Sequence, residues 1–159
     1  MACRSLFASA FTGFVLLATA AAAAEPPSAP PAAYDAALAR QYGADEYGMR
    51  SYVLVILKTG PKRVPDGPAR DEMFKGHFAN IHRLAEAGKL AAAGPFVGKD
   101  DWRGMFIFAV KTVEEAQQLV ATDPVIQNGE MVAEFHPLYS SAALMAINGL
   151  HKKLAEKAF

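Results

Sequence analysis

His77 and Asp123 are the two residues of this chain with the most to gain from meeting. The helix predicted around His77 carries a stripe of Met73, Phe74, Phe78, Ile81, Leu84 and Ala85. That stripe should face a core, so an imidazole among these side chains needs a polar partner or bears a desolvation cost. Asp123 falls where a second helix should end, against carbonyl dipoles that repel a carboxylate unless a cation or proton donor compensates it. A carboxylate can fix the tautomer of an imidazole and raise its basicity for proton transfer, or merely satisfy a buried histidine. No Ser or Cys stands in a recognisable nucleophile motif, which favours acid-base chemistry over an acyl-enzyme.

Other side chains are candidates for binding a substrate. Arg70, Arg83 and Arg103 can each hold an anion or be plain surface charge; Arg70, about two helical turns before His77, is the slight favourite among them. Gly94-Pro95, at the end of a predicted strand, can turn the backbone toward a pocket or act as a plain structural break. Trp102, in the turn Lys99-Asp100-Asp101-Trp102, can line that pocket or cap the core. His82 is five residues past His77, roughly 140° around the helix, so the two cannot chelate one ion. His136, beside Pro137, is open in role. A metal set of His77, Asp123 and His136 has no ligand spacing behind it, so neither a metal nor a cofactor is expected.

The positioning elements follow from patterning. Residues 1–24 read as an export signal: Arg4, an apolar centre from Phe11 to Leu17, and small residues from Ala20 to Ala24. An uncleaved anchor over Leu6 to Ala24 is the alternative. Cleavage would remove Cys3, the single cysteine, and place a cysteine-free protein in the periplasm or medium, with no membrane contact after cleavage. Acidic and basic side chains number 16 each. That balance offers nucleic acid no electrostatic foothold and leaves small molecules or proteins as partners.

Residues 25–48 are read as a Pro/Ala-rich tether and a short helix stopping near Gly43. Residues 49–139 form the main domain. Tyr52 to Leu57 is an apolar run expected to be a strand buried on both faces, and residues 60–69 a loop rich in Pro and Gly. The main helix spans about residues 69–87. Strands follow at 90–93 and 104–110, the first broken by Gly94-Pro95. A helix begins at the capping-box pattern Thr112-Val113-Glu114-Glu115, buries Val113, Ala116, Leu119 and Val120, and stops before Pro124. The last strand covers 131–136. In residues 140–159, Ser140 or Ser141 caps a C-terminal helix that Asn148-Gly149 breaks or kinks.

Strand, helix, strand, strand, helix, strand with right-handed crossovers is an α+β, ferredoxin-like βαββαβ plan, with extra helices at both ends. The run Met105 to Val110 shows no polar alternation, so the sheet face away from the helices should be covered as well. A second copy packed sheet against sheet would cover it.

His77, Gly88-Lys89-Leu90, Ala93-Gly94-Pro95, Gly104, Glu115-Ala116, and Asp123-Pro124 followed by Gly129 occur in an order that resembles the YciI-like (YCII-related) domain family, over about residues 52–138. The resemblance implies a dimeric α/β barrel made of two ferredoxin-like units. It also implies an enzyme whose His-Asp pair, here His77 and Asp123, acts in elimination or hydrolysis on small, often aromatic compounds. The alternative is a non-catalytic ligand-binding or structural dimerisation module. The flanking segments look like those of an exported subgroup.

Overall fold

The computed structural model describes residues 33–98 and 100–157; the expected leader and the Pro/Ala tether lie outside the described residues. The described residues from Tyr34 to Lys157 belong to one compact unit. The elements are α1 (Ala36–Tyr42), β1 (Met49–Thr59), α2 (Pro68–Glu86), β2 (Leu90–Pro95), β3 (Trp102–Phe108), α3 (Val113–Val120), α4 (Pro124–Gln127), β4 (Met131–Ser141), a 3-10 turn (Ala142–Ala146) and α5 (Ile147–Leu154). The sheet is antiparallel, in the order β2-β3-β1-β4, as the ferredoxin-like reading expects.

Val53, Val55 and Leu57 of β1 share a face with Phe106 and Phe108 of β3, because residues opposite each other in a ladder point the same way. Against this face pack Met73 and Leu84 of α2, Ala116 and Val120 of α3, and Val125 of α4, all buried. Each large aliphatic or aromatic group fully buried here contributes about 1.5–3 kcal/mol. The Thr112 hydroxyl caps α3 as the capping box predicts, accepting from the Glu115 amide at 3.2 Å, while the Glu115 carboxylate reaches one residue further back than the box expects and accepts from the Lys111 amide at 3.0 Å. Ala116 and Val120 are its buried residues, while Val113 and Leu119 are half-buried.

Four expectations are corrected. β3 begins at Trp102 and ends at Phe108, and its burial alternates, with Met105 and Ile107 half-buried on the face away from the helices. β2 is not broken at Gly94-Pro95. Both residues pair with β3, and Pro95 is tolerated because β2 is an edge strand whose outer side needs no amide donor. β4 runs past His136 to Ser141 for the same reason, Pro137 lying on the opposite edge strand. Asn148 does not break α5. Its side-chain amide donates to the Leu90 carbonyl at 2.8 Å, occupying part of the open edge of β2, while Ser141 caps the 3-10 turn.

Gly60 closes the end of β1 against the turn before β4. Its amide donates to the Glu130 carbonyl at 2.8 Å, and a Cβ at Gly60 would stand 2.2 Å from the Gly129 carbonyl oxygen. Gly60→Ala is therefore expected to cost about 2–3 kcal/mol, read from the urea midpoint of unfolding.

Candidate functional site

α2 buries Met73, His77, Asn80 and Leu84, one helical face with two polar members. His77 keeps 7% of its surface exposed and Asp123 none. The structure brings these two together: His77 Nδ1 lies 2.8 Å from Asp123 Oδ2 and 2.9 Å from Oδ1. An ionised carboxylate only accepts hydrogen bonds, so the proton sits on Nδ1 and, in neutral His77, Nε2 carries the free lone pair. Asp123 does not lie at an unfavourable helix end, as its position after α3 suggested. It is the N-cap of α4, where its Oδ1 also accepts from the Val125 amide at 3.1 Å, so the local backbone supplies donors instead of repelling it.

The approach of the Asp123-Pro124 turn to α2 depends on Gly76, the neighbour of His77. A Cβ there would come within 3.0 Å of Pro124 Cγ. Around the imidazole stand Phe74, edge-on at 6.0 Å between ring centres, Phe78 at 5.4 Å and Phe106 at 6.0 Å. Phe78 is not the core residue that the stripe predicts. It is 40% exposed, so one wall of the histidine's surroundings is at the surface.

A second buried acid was missed by sequence reasoning. Glu130 is fully buried. Its Oε1 accepts from Arg70 Nη1 at 2.8 Å and pairs with Arg63 Nη1 at 2.9 Å, and its Oε2 accepts from the Val64 amide at 2.7 Å. Arg70 also donates to the Val64 carbonyl at 2.9 Å and lies over the Phe74 ring at 4.9 Å. Its guanidinium is thus engaged inside the protein, not presented as a free anion holder. Burial alone would push the Glu130 carboxyl up, but the Val64 amide and the Arg70 and Arg63 guanidiniums outweigh it and hold the group below the ordinary Glu range. The only advance signal was the excess of Arg63 and Arg70 in a loop-helix junction. Asn80, also missed, accepts from Arg83 at 2.6 Å and from the Thr122 hydroxyl at 3.0 Å, while its buried Nδ2 has no hydrogen-bond partner among the described residues.

The remaining candidates are carried by the sheet, Gly94 and Pro95 by β2, Trp102 by β3 and His136 by β4. Gly94 pairs with Met105 on the sheet face away from the helices, and Pro95 is exposed opposite Gly104. Trp102, 45% exposed, packs on Phe96 with ring centres 5.3 Å apart. His136 also belongs to the far face, paired with Glu134 at 2.9 Å, which in turn binds Lys58 at 2.6 Å. It therefore cannot join His77 and Asp123 around an ion, and no group of three or more His, Cys, Asp or Glu among the described residues is placed to hold one. A cavity of about 420 Å³ between α2 and α5 is lined by His82, Glu86 and His151, and one of about 330 Å³ by Val120, Ile126 and Phe135; neither is lined by His77 or Asp123. None of the described helices is long and apolar enough to cross a membrane.

Because the folded protein holds Glu130 below its unfolded range, the stabilisation is complete above the ordinary Glu value and is lost as pH falls through the folded value. The melting temperature of the wild type should therefore fall as pH drops below the ordinary Glu range, and Glu130→Gln should flatten that part of the curve while lowering stability at neutral pH.

No curated protein sequence matches the chain. Among solved structures it is similar to 5-chloro-2-hydroxyhydroquinone dehydrochlorinase (TftG) from Burkholderia phenoliruptrix AC1100, in complex with 2,5-dihydroxybenzoquinone. That likeness has 20% identity and a TM-score of 0.38, over 56% of this chain and 90% of that one. The profile of the YCII-related domain matches residues 51–135, which begin inside β1, hold His77 and Asp123, and end inside β4. The chain belongs to the YCII-related domain family.

Proposed function

We propose that this protein is a small-molecule enzyme in which His77 is the general base or acid and Asp123 its orienting partner. The observation that carries this reading is the hydrogen bond of 2.8 Å between His77 Nδ1 and a fully buried carboxylate. Asp123 holds the imidazole in the tautomer that leaves Nε2 free to take a proton from a substrate or a water, and stabilises the imidazolium that results. The aromatic walls from Phe74, Phe78 and Phe106 suit a small cyclic or aromatic compound. Elimination and hydrolysis both need that proton transfer, and neither calls for a cofactor. The reaction takes place in the periplasm or outside the cell, where the apolar leader of residues 1–24 directs the chain.

A rival reading makes the pair part of a non-catalytic binding or structural module, and the 7% exposure of His77 favours it. His77→Gln and Asp123→Asn separate the two, because Gln keeps the size of the side chain and Asn still caps α4. With hydroxylated and halogenated aromatics screened by mass spectrometry, each substitution should lower turnover at least about a hundredfold while the melting temperature stays within a few degrees. Retained turnover, or loss of the fold in place of turnover, refutes the enzyme reading.

The sheet face away from α2 and α3 is covered by a second copy of the chain, completing a dimeric α/β barrel. Half-buried Leu54, Met105 and Ile107 form the centre of that face, and exposed Val132 its margin beside Lys58, Glu134 and His136. An apolar patch of this kind on an exported protein is a liability unless it is an interface. Wild type at micromolar concentration should scatter light as a dimer and Ile107→Glu as a monomer; a monomeric wild type overturns the proposal.

A further inference from the structure

We infer that Glu130 is a positioning residue for the His77 site: with Arg70 it forms the second jaw of a clamp whose first jaw is Asp123 on His77. The inference rests on the reading of His77 as the reactive group. Arg70 and His77 are seven residues apart on α2, two turns and about 10.5 Å along one side of the helix. Asp123 and Glu130 are seven residues apart on the segment that carries α4. That segment therefore grips α2 at both of its ends. Asp123 holds His77 at 2.8 Å and Glu130 holds Arg70 at 2.8 Å. Between the jaws, Pro124 rests where Gly76 lacks a side chain and Val125 is fully buried.

The two jaws are also joined within α2. The Arg70 guanidinium lies over Phe74, and Phe74 stands edge-on to His77. The outer loop is fastened to the same jaw, since the Lys62 amide donates to the Gly129 carbonyl at 3.0 Å and the Val64 amide to Glu130. Buried ion pairs are weak sources of net stability, because desolvation offsets most of the attraction. What this one supplies is register. A short one-turn helix has little internal cooperativity to fix its own position, so anchoring both ends keeps Asp123 from sliding along α2.

The test uses the full chain with labelled histidine and reads the low-field Nδ1 proton of His77 and its exchange with water. Glu130→Asp keeps the charge but shortens the reach by one methylene, and Glu130→Gln keeps the reach but removes the charge. In both, exchange of that proton should speed up about tenfold or more, while Leu119→Ala in α3, chosen to lower the melting temperature comparably, leaves it slow. If Glu130→Gln does not fold, Glu130→Asp and Arg70→Lys carry the comparison. An unchanged His77 proton in variants with lowered melting temperature overturns the clamp and leaves an ordinary buried ion cluster. The readout needs no substrate, so failure of the clamp and failure of the enzyme reading are separate results.

Discussion

Two carboxylates and an imidazole buried along one side of α2 constrain everything around them. Moving such groups out of water is costly unless each finds donors or acceptors in the right direction. Asp123 is satisfied by His77 and by the Val125 amide, and Glu130 by Arg70, Arg63 and the Val64 amide. Every one of those partners comes from a different stretch of chain or from a turn that must be shaped to present it. The loop before α2, the glycine at position 76 and the one-turn helix α4 are all consequences of that requirement.

The sheet supplies the floor on which this arrangement rests. Val53, Val55, Phe106 and Phe108 give α2 and α3 an apolar surface, and Phe106 reaches the imidazole from below. The two edges are handled differently. β2 is partly covered by Asn148 of the C-terminal helix, whereas β4 carries Pro137, which offers no amide to a further strand. Extra elements beyond the family's matched region thus protect an edge of the sheet and lie apart from the His-Asp pair.

The meeting of His77 with Asp123 was legible from the histidine, which sits in an apolar stripe and needs a polar partner, whereas the misplaced helix end expected at Asp123 is instead a favourable cap of α4. The helix stripe itself was read too broadly. Phe78 fits the period of the buried face, yet 40% of it is exposed, since periodicity locates a side of a helix but not how far a neighbouring layer extends over it. The same limit applies to β3, where an unbroken apolar run concealed real alternation between the helix-packed face and the half-buried one. Glu130 gave no such signal, because an acid after a glycine reads as a surface turn until the chain folds two arginines and an amide onto it.

What the sequence by itself determined is the order of the four strands and the two longer helices between them, the antiparallel α+β plan and the family, since hydrophobic period, caps and glycine-proline breaks act over short stretches of chain; the one-turn helix α4 and the 3-10 turn after β4 were not read from it. Which polar groups meet was decided only in three dimensions. Asp123 is a poor helix end or a good helix cap, and Arg70 a free cation or a buried partner, according to where residues 123–130 come to lie on α2. That placement depends on contacts between segments far apart along the chain, and no local pattern encodes their distance.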